Sequence, residues 1–162
     1  MDKKERKLIQ YVELLKMKYD TEKMMSLLPK GYISTKTISG HTYSYLQWRE
    51  GSKIVSKYIE DDLLFGVKSK IKMRKDVENL LRIIKNDIKN VKKSIVNGNY
   101  LNQQQIGTLE ENMKLDDMSI NKSEVLNEQL PEFVSTKLGE AYINGDIPFN
   151  RLLLIKWGLI SE

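Results

Sequence analysis

Residues 31–59, GYISTKTISGHTYSYLQWREGSKIVSKYI, alternate side-chain character with the two-residue period of β-strands and carry five aromatic rings. Turn residues interrupt the alternation at Ser39-Gly40 and again at Glu50-Gly51, so the stretch reads as a three-stranded antiparallel meander. If each dipeptide forms a two-residue loop, Ile38 faces His41 and Trp48 faces Lys53, which fixes the register of all three strands. One face then collects Ile33, Leu46, Trp48 and Val55. The other collects Tyr32, Tyr43, Tyr45 and Tyr58, with Ser34, Lys36, Gln47 and Ser56 between them. A sheet this small needs cover on its apolar face, and the flanking helices are the nearest source.

Those flanks have helical spacing. From Asp2 to about Leu27, the residues Leu8, Tyr11, Val12, Leu15 and Tyr19 recur every three or four positions and make one apolar stripe on a charged helix. Pro29 and Gly31 end it. After the meander, Glu60-Asp61-Asp62 places acids where a helix N-terminus favours them, with Asp61 or Asp62 as cap. Val77, Leu81, Ile84, Ile88, Val91 and Ile95 then follow alternating steps of four and three, a heptad seam of about three heptads. The seam predicts an antiparallel pairing with the first helix in the same chain, or a homodimer through Val77 to Ile95. Asn97-Gly98-Asn99 stops this helix.

Beyond it, the Gln/Asn-rich and weakly helical stretch 99–118 reads as a linker with room for a short helix, and 119–162 as a helical tail. Ser119 caps a helix to about Leu130, Pro131 breaks it, and Ser135 or Thr136 starts another that ends at Asn144-Gly145. Pro148 opens a last helix carrying Leu152, Leu153, Leu154, Ile155, Trp157 and Ile160. The predicted fold is α+β and mainly α: a body over 1–98 built from a long helix pair and the small meander, then the linker and the tail.

The 162 residues include no cysteine, which excludes disulfides and thiolate metal ligands. The start, MDKKERKLIQ, lacks the apolar segment of a secretory signal, and no apolar run approaches the ~20 residues of a membrane span. The expectation is a cytoplasmic protein that does not enter a membrane. His41 is the single histidine and sits beside a turn, so neither a histidine metal cluster nor a histidine-based triad is expected. The acidic pairs Asp61-Asp62, Glu110-Glu111 and Asp116-Asp117 are sequence neighbours, which do not share a helix face. No phosphate-cradling glycine motif occurs. The reading is a protein that is not an enzyme and carries no cofactor and no metal.

Charge is distributed unevenly. The net charge is +5, yet between Lys68 and Lys93 ten basic residues face three acids. Such a run is either a solvated helix face or a phosphate-attracting stripe. Eight of the ten are lysines, point charges without the guanidinium fork that reads base edges, so the contacts they offer are to backbone phosphate. Tyrosines on a sheet face can stack on exposed bases, although tyrosine is also an ordinary strand residue on half-buried surfaces.

The stretch LPKGYIS…YLQWREGSKIVSKYI, followed by KSKIKMRKDVENLL, resembles a largely uncharacterised family of short proteins from Firmicutes genomes and mobile elements. That family carries LP.GYIS.K.I.GK.YYYLQ.R..GK.VSKYI and then I..RK..E, a pattern matched over residues 27 to 84. The tail EAYINGDIPFNRLLLIKWGLI resembles the family ending W.NG.ISF…L..YG at Tyr142, Asn144, Gly145, Ile147, Phe149 and Gly158. The resemblance implies a non-enzymatic accessory protein, the antitoxin-like partner of a toxin or defence enzyme. Thr136 and Glu140 also resemble the [ST]-x-x-x-E-[GN] element of antitoxins that block Fic-type toxins, with Ala141 where glycine or asparagine is expected.

Two functions follow as expectations. One is a regulatory protein, an antitoxin- or inhibitor-like binder of a protein partner, which it holds through the body or through Thr136, Glu140, Tyr142, Phe149 and Trp157 of the tail. The other is a nucleic-acid-binding module using Tyr32, Tyr43, Tyr45 and Tyr58, with Lys36, Lys68, Lys72, Lys75, Lys85 and Lys89 on phosphate. A single chain has surface for both.

Overall fold

The structure is a computed structural model; it describes residues 1–121 and, in the tail, 151, 154, 155 and 157–161. The fold is α+β and mainly α. Its order is α1 (Lys3–Ser26), β1 (Tyr32–Ile38), β2 (His41–Glu50), β3 (Lys53–Ile59), α2 (Leu64–Asn97) and α3 (Gln103–Asn121). The chain divides into two compact units, Met1–Tyr19 with Ile84–Glu162, and Asp20–Ile83, so α1 and α2 each contribute to both.

The first unit is helical. Asp2 caps α1, its Oδ1 accepting the Glu5 backbone N–H at 2.6 Å. The α1 stripe of Leu8, Tyr11, Val12 and Leu15 is buried with Val91 and Ile95 of the α2 seam, so the two helices do share a core within one chain. A third helix joins them. The stretch 99–118 read as a linker carries most of α3, whose Ile106, Leu109 and Met113 are buried in the same core, and α3 runs on to Asn121, so Ser119 lies inside a helix and does not cap a new one. Its start is a capping box: Asn102 Oδ1 accepts the Gln105 N–H at 2.8 Å, and Gln105 Oε1 accepts the Asn102 N–H at 2.9 Å. The polar composition between Leu101 and Asp117 hid three apolar residues at helical spacing, which is enough to bury one face of a helix.

Between α2 and α3 the chain turns through Asn99, the left-handed residue at φ 53, while Tyr100 N–H reaches back to the Ile95 carbonyl at 3.1 Å. Gly98 is needed for a different reason: a Cβ there would lie 2.7 Å from the Tyr100 ring. In the tail, Leu154 is fully buried in the core, and Arg151 donates from Nε to Glu5 Oε1 at 2.5 Å. Gly158, at φ 68, ends the last helical turn by the same backbone motif.

The second unit holds the meander, in the order β1-β2-β3. Ser39 and Gly40 form the first loop with positive φ at both positions, and Ile38 faces His41 as expected. The second loop differs: it is Gly51-Ser52, so Glu50 faces Lys53 and Trp48 faces Val55. A tight hairpin loop of this kind needs positive φ at its first position, which Gly51 supplies at φ 61 and a glutamate would adopt only with strain. The shift is two residues, one full side-chain period, so every residue keeps its face.

α2 begins one or two residues later than a cap at Asp61 or Asp62 would place it, with Leu63 at the cap position. Glu60-Asp61-Asp62 forms a turn in which Leu63 N–H bonds the Glu60 carbonyl at 3.0 Å, and the first helical bond runs from Val67 to Leu63. In this unit Val77 and Leu81 of the seam are buried. Among the described residues no helix is long and apolar enough to cross a membrane.

Candidate nucleic-acid interface

Opposed residues in an antiparallel sheet share a face. The pairings Lys36 with Tyr43, Ser34 with Tyr45 and Tyr58, and Tyr32 with Gln47 and Ser56 therefore build one surface from three strands. Arg49 and Ile54 extend it toward the second loop. None of the strand residues on this face is acidic.

The rings on it form a cluster. Tyr58 lies 5.8 Å from Tyr45 and 6.3 Å from Tyr43, centroid to centroid, with planes inclined at 66° and 57°. The Tyr45–Tyr58 contact is edge-to-face, the arrangement the ring quadrupole favours, and the Tyr43–Tyr58 pair is tilted. Lys36 Nζ stands 5.1 Å above the Tyr45 ring. Tyr43 and Tyr45 are half-buried, whereas Tyr32 and Tyr58 remain 56% and 48% exposed. Gln47 Nε2 donates to Ser56 Oγ at 3.4 Å across the sheet. Surrounding side chains, and then the charges of Asp61 and Glu60, raise the Tyr58 hydroxyl above its ordinary pKa. The corner of the face next to β3's end is thus negative, while Lys36 and Arg49 hold the rest positive.

The opposite face is built differently. Ser44 and Ile59, directly opposed, are buried, and Ile33, Leu46, Trp48 and Val55 are half-buried. The Trp48 indole N–H donates to Glu50 Oε1 at 2.9 Å, two residues along its own strand. Its polar atom is satisfied within the sheet.

Sequence reasoning placed the tyrosines and Lys36 together, and the structure brings Tyr43, Tyr45, Tyr58 and Lys36 into contact. The lysines of α2 do not gather in the same way. Lys68, Lys72 and Lys75 recur at helical spacing on the exposed side of α2, away from buried Val77 and Leu81, in the unit that holds the sheet. Lys85 and Lys89, also exposed, belong to the helical unit. Arg49 escaped the sequence reading, although its parity with Tyr43, Tyr45 and Gln47 puts it on their face. Of the tail candidates, Thr136, Glu140, Tyr142 and Phe149 lie outside the described residues. Trp157 is half-buried against the helical core.

A second group of residues holds the sheet unit together. Arg74 is 12% exposed; its Nη1 donates to the carbonyls of Met25 and Leu28 at 2.7 and 2.8 Å, and its Nε to Glu78 Oε1 at 3.0 Å. It caps the chain where α1 ends ahead of Pro29, bonding the Leu28 carbonyl and joining the Leu28 N–H on the Met25 carbonyl. Gly31, at φ 109, touches β2 so closely that a Cβ would lie 2.0 Å from the Gln47 carbonyl oxygen. Lys30, Gly31, Ile71, Arg74, Lys75 and Glu78 line one cavity of about 250 Å³. The glycine of LPKGY and the I..RK..E residues therefore meet in space, around a backbone clamp.

Residues 3–68 match the family model described as "Domain of unknown function (DUF6788)". A DUF6788 domain covers that stretch. It takes in α1, the whole meander and the first residues of α2, and it stops ahead of Ile71 and Arg74. No curated protein and no solved structure matches the chain.

Proposed function

We propose that this chain is a non-enzymatic nucleic-acid-binding protein whose contact surface is the tyrosine face of the meander. The observation that carries the reading is the composition of that face: Tyr32, Tyr43, Tyr45 and Tyr58 share it with Lys36 and Arg49 and with no carboxylate. Aromatic rings take bases and cations take phosphates, and since no strand residue of the face is acidic, repulsion of the backbone is confined to the corner beside Glu60 and Asp61. Lys68, Lys72 and Lys75 add positive charge to the same unit.

The test is a salt titration of the full chain with labelled single-stranded and duplex oligonucleotides. The affinity is expected to fall steeply with salt, and Lys36→Gln with Arg49→Gln to lower the log–log slope by about two, one per cation removed. Salt-insensitive binding, or a slope unchanged in the double variant, contradicts the reading.

A second reading rests on a separate observation. Leu63 and Phe65, at the entry to α2, are 56% and 82% exposed. Apolar side chains left in water at one turn favour a protein partner, in keeping with the regulator expected from the sequence. Co-purification from the native host that Phe65→Asp abolishes supports this reading; capture unaffected by Phe65→Asp removes it.

A further inference from the structure

We infer that the tyrosine face takes unpaired nucleotides rather than a duplex, with the sugar-phosphate chain passing between Lys36 and Arg49 and the bases turned onto Tyr45, Tyr58 and Tyr32. The inference rests on the proposed function and narrows its ligand. Three features of the face lead to it.

The first is the kind of group on offer. In a duplex the faces of the bases are already stacked on one another, and what a protein reads is hydrogen-bonding edges in a groove. This face offers mainly ring surface. Gln47, the one side-chain amide on the strands of this face, gives one N–H to Ser56 at 3.4 Å. Ring surface finds its partner where bases are splayed apart, as in single strands.

The second is the state of Tyr45. Its ring is covered by the Lys36 ammonium at 5.1 Å. A base arriving on Tyr45 displaces the ammonium, which carries the adjacent phosphate's countercharge on a flexible stem. One residue thus covers the ring when the site is empty and holds the backbone when it is filled.

The third is the charge gradient. Asp61 and Glu60 act on the Tyr58 hydroxyl at one corner, whereas Lys36 lies on the other edge strand and Arg49 near the second loop. From the Lys36 row to the Arg49 row is three two-residue steps, about 20 Å at ~3.4 Å per residue. A phosphate chain along that line stays clear of the acidic corner, with Tyr45 and Tyr58 on its β3 side and Tyr32 on its β1 side for bases turned either way.

The experiment measures anisotropy of the full chain with labelled oligothymidylate, oligouridylate and a hairpin duplex of equal nucleotide count. The single strands are expected to bind about tenfold or more tighter than the duplex. Tyr58→Ala is expected to weaken single-strand binding by about fivefold or more, a loss of one stacking contact, while Tyr58→Phe keeps it. Should Tyr58→Ala disturb the sheet, Tyr32→Ala at the first residue of β1 gives the same readout. Glu60→Gln with Asp61→Asn is expected to tighten binding. Oligothymidylate and oligouridylate separate a DNA from an RNA ligand. Equal affinity for duplex and single strands, with Tyr58→Ala silent and Lys36→Gln weakening both, overturns the inference and leaves a nucleic-acid-binding face standing. Failure of every probe to bind overturns both.

Discussion

The two units of this chain spend their aromatic and apolar residues in opposite ways. In the helical unit Leu8, Tyr11, Ile95, Ile106 and Leu109 are between 0% and 1% exposed, and even the Tyr11 hydroxyl is engaged with the Glu110 carboxylate, itself bound by Lys92 at 3.0 Å. In the sheet unit the tyrosines stand half in water on a face whose strand residues include no acid, and Phe65 is 82% exposed. Burial on the first scale is how a fold is made stable. Exposure on the second contributes little to stability, so its use is sought in binding.

That contrast is sharpest at single positions, and the largest effect is expected in the helical core. Leu109→Ala deletes a buried side chain and leaves a cavity, so urea denaturation should show a loss of about 3 to 4 kcal/mol. A loss below about 1 kcal/mol would mean that α3 is not integral to the core. In the sheet unit the critical residue is a glycine rather than a large side chain. Gly31→Ala drives a methyl into the Gln47 carbonyl at a left-handed φ and should cost about 3 kcal/mol. Stability close to that of the parent chain would show that β1 and β2 do not approach as described.

Tyr11 separates the units by pH. Burial first, and then its hydrogen bond to Glu110, push the Tyr11 hydroxyl far above its ordinary value of about 10. The folded state holds this proton where the unfolded chain releases it. The corresponding stability is complete below pH of about 10 and declines above it, by up to about 1.4 kcal/mol per pH unit for one proton. Tyr11→Phe should cost about 1 kcal/mol at neutral pH and flatten the alkaline decline, checked by melting temperatures across alkaline buffers. Equal decline in both proteins assigns the proton elsewhere. The smallest effect on stability belongs to the tyrosine face: Tyr32→Ala should change the folding free energy by less than about 1 kcal/mol. A larger loss would make that ring part of the fold and weaken its candidacy as a contact.

Much of the sheet was legible because strand alternation has an unambiguous period. Tyr43, Tyr45 and Tyr58 could be placed on one face even with the second loop displaced, since a two-residue shift returns each side chain to its side. The loop itself was misplaced because Glu50-Gly51 and Gly51-Ser52 are equally turn-like, and only the need for positive φ at the first position decides between them. α3 was read as no more than a short helix in a linker because its buried residues Ile106, Leu109 and Met113 are scattered among amides and charges, and the Asn102/Gln105 capping box that opens it is easily read as linker composition. The clamp at Arg74 was beyond reach of the sequence, which shows a cation in a basic run; only the fold shows that its partners are the carbonyls ending α1. The division of the basic run between two units was equally hidden, since a continuous helix spans both.

The central claim is that the tyrosine face is the contact surface. Chemical-shift mapping of the full chain during titration with oligothymidylate tests it directly. The shifts are predicted to concentrate on Tyr43, Tyr45, Tyr58 and Lys36, with Trp48, Val55 and the helical core around Leu109 unmoved. Shifts centred on Trp48 and Val55, or on α3, or no shifts at all, contradict it.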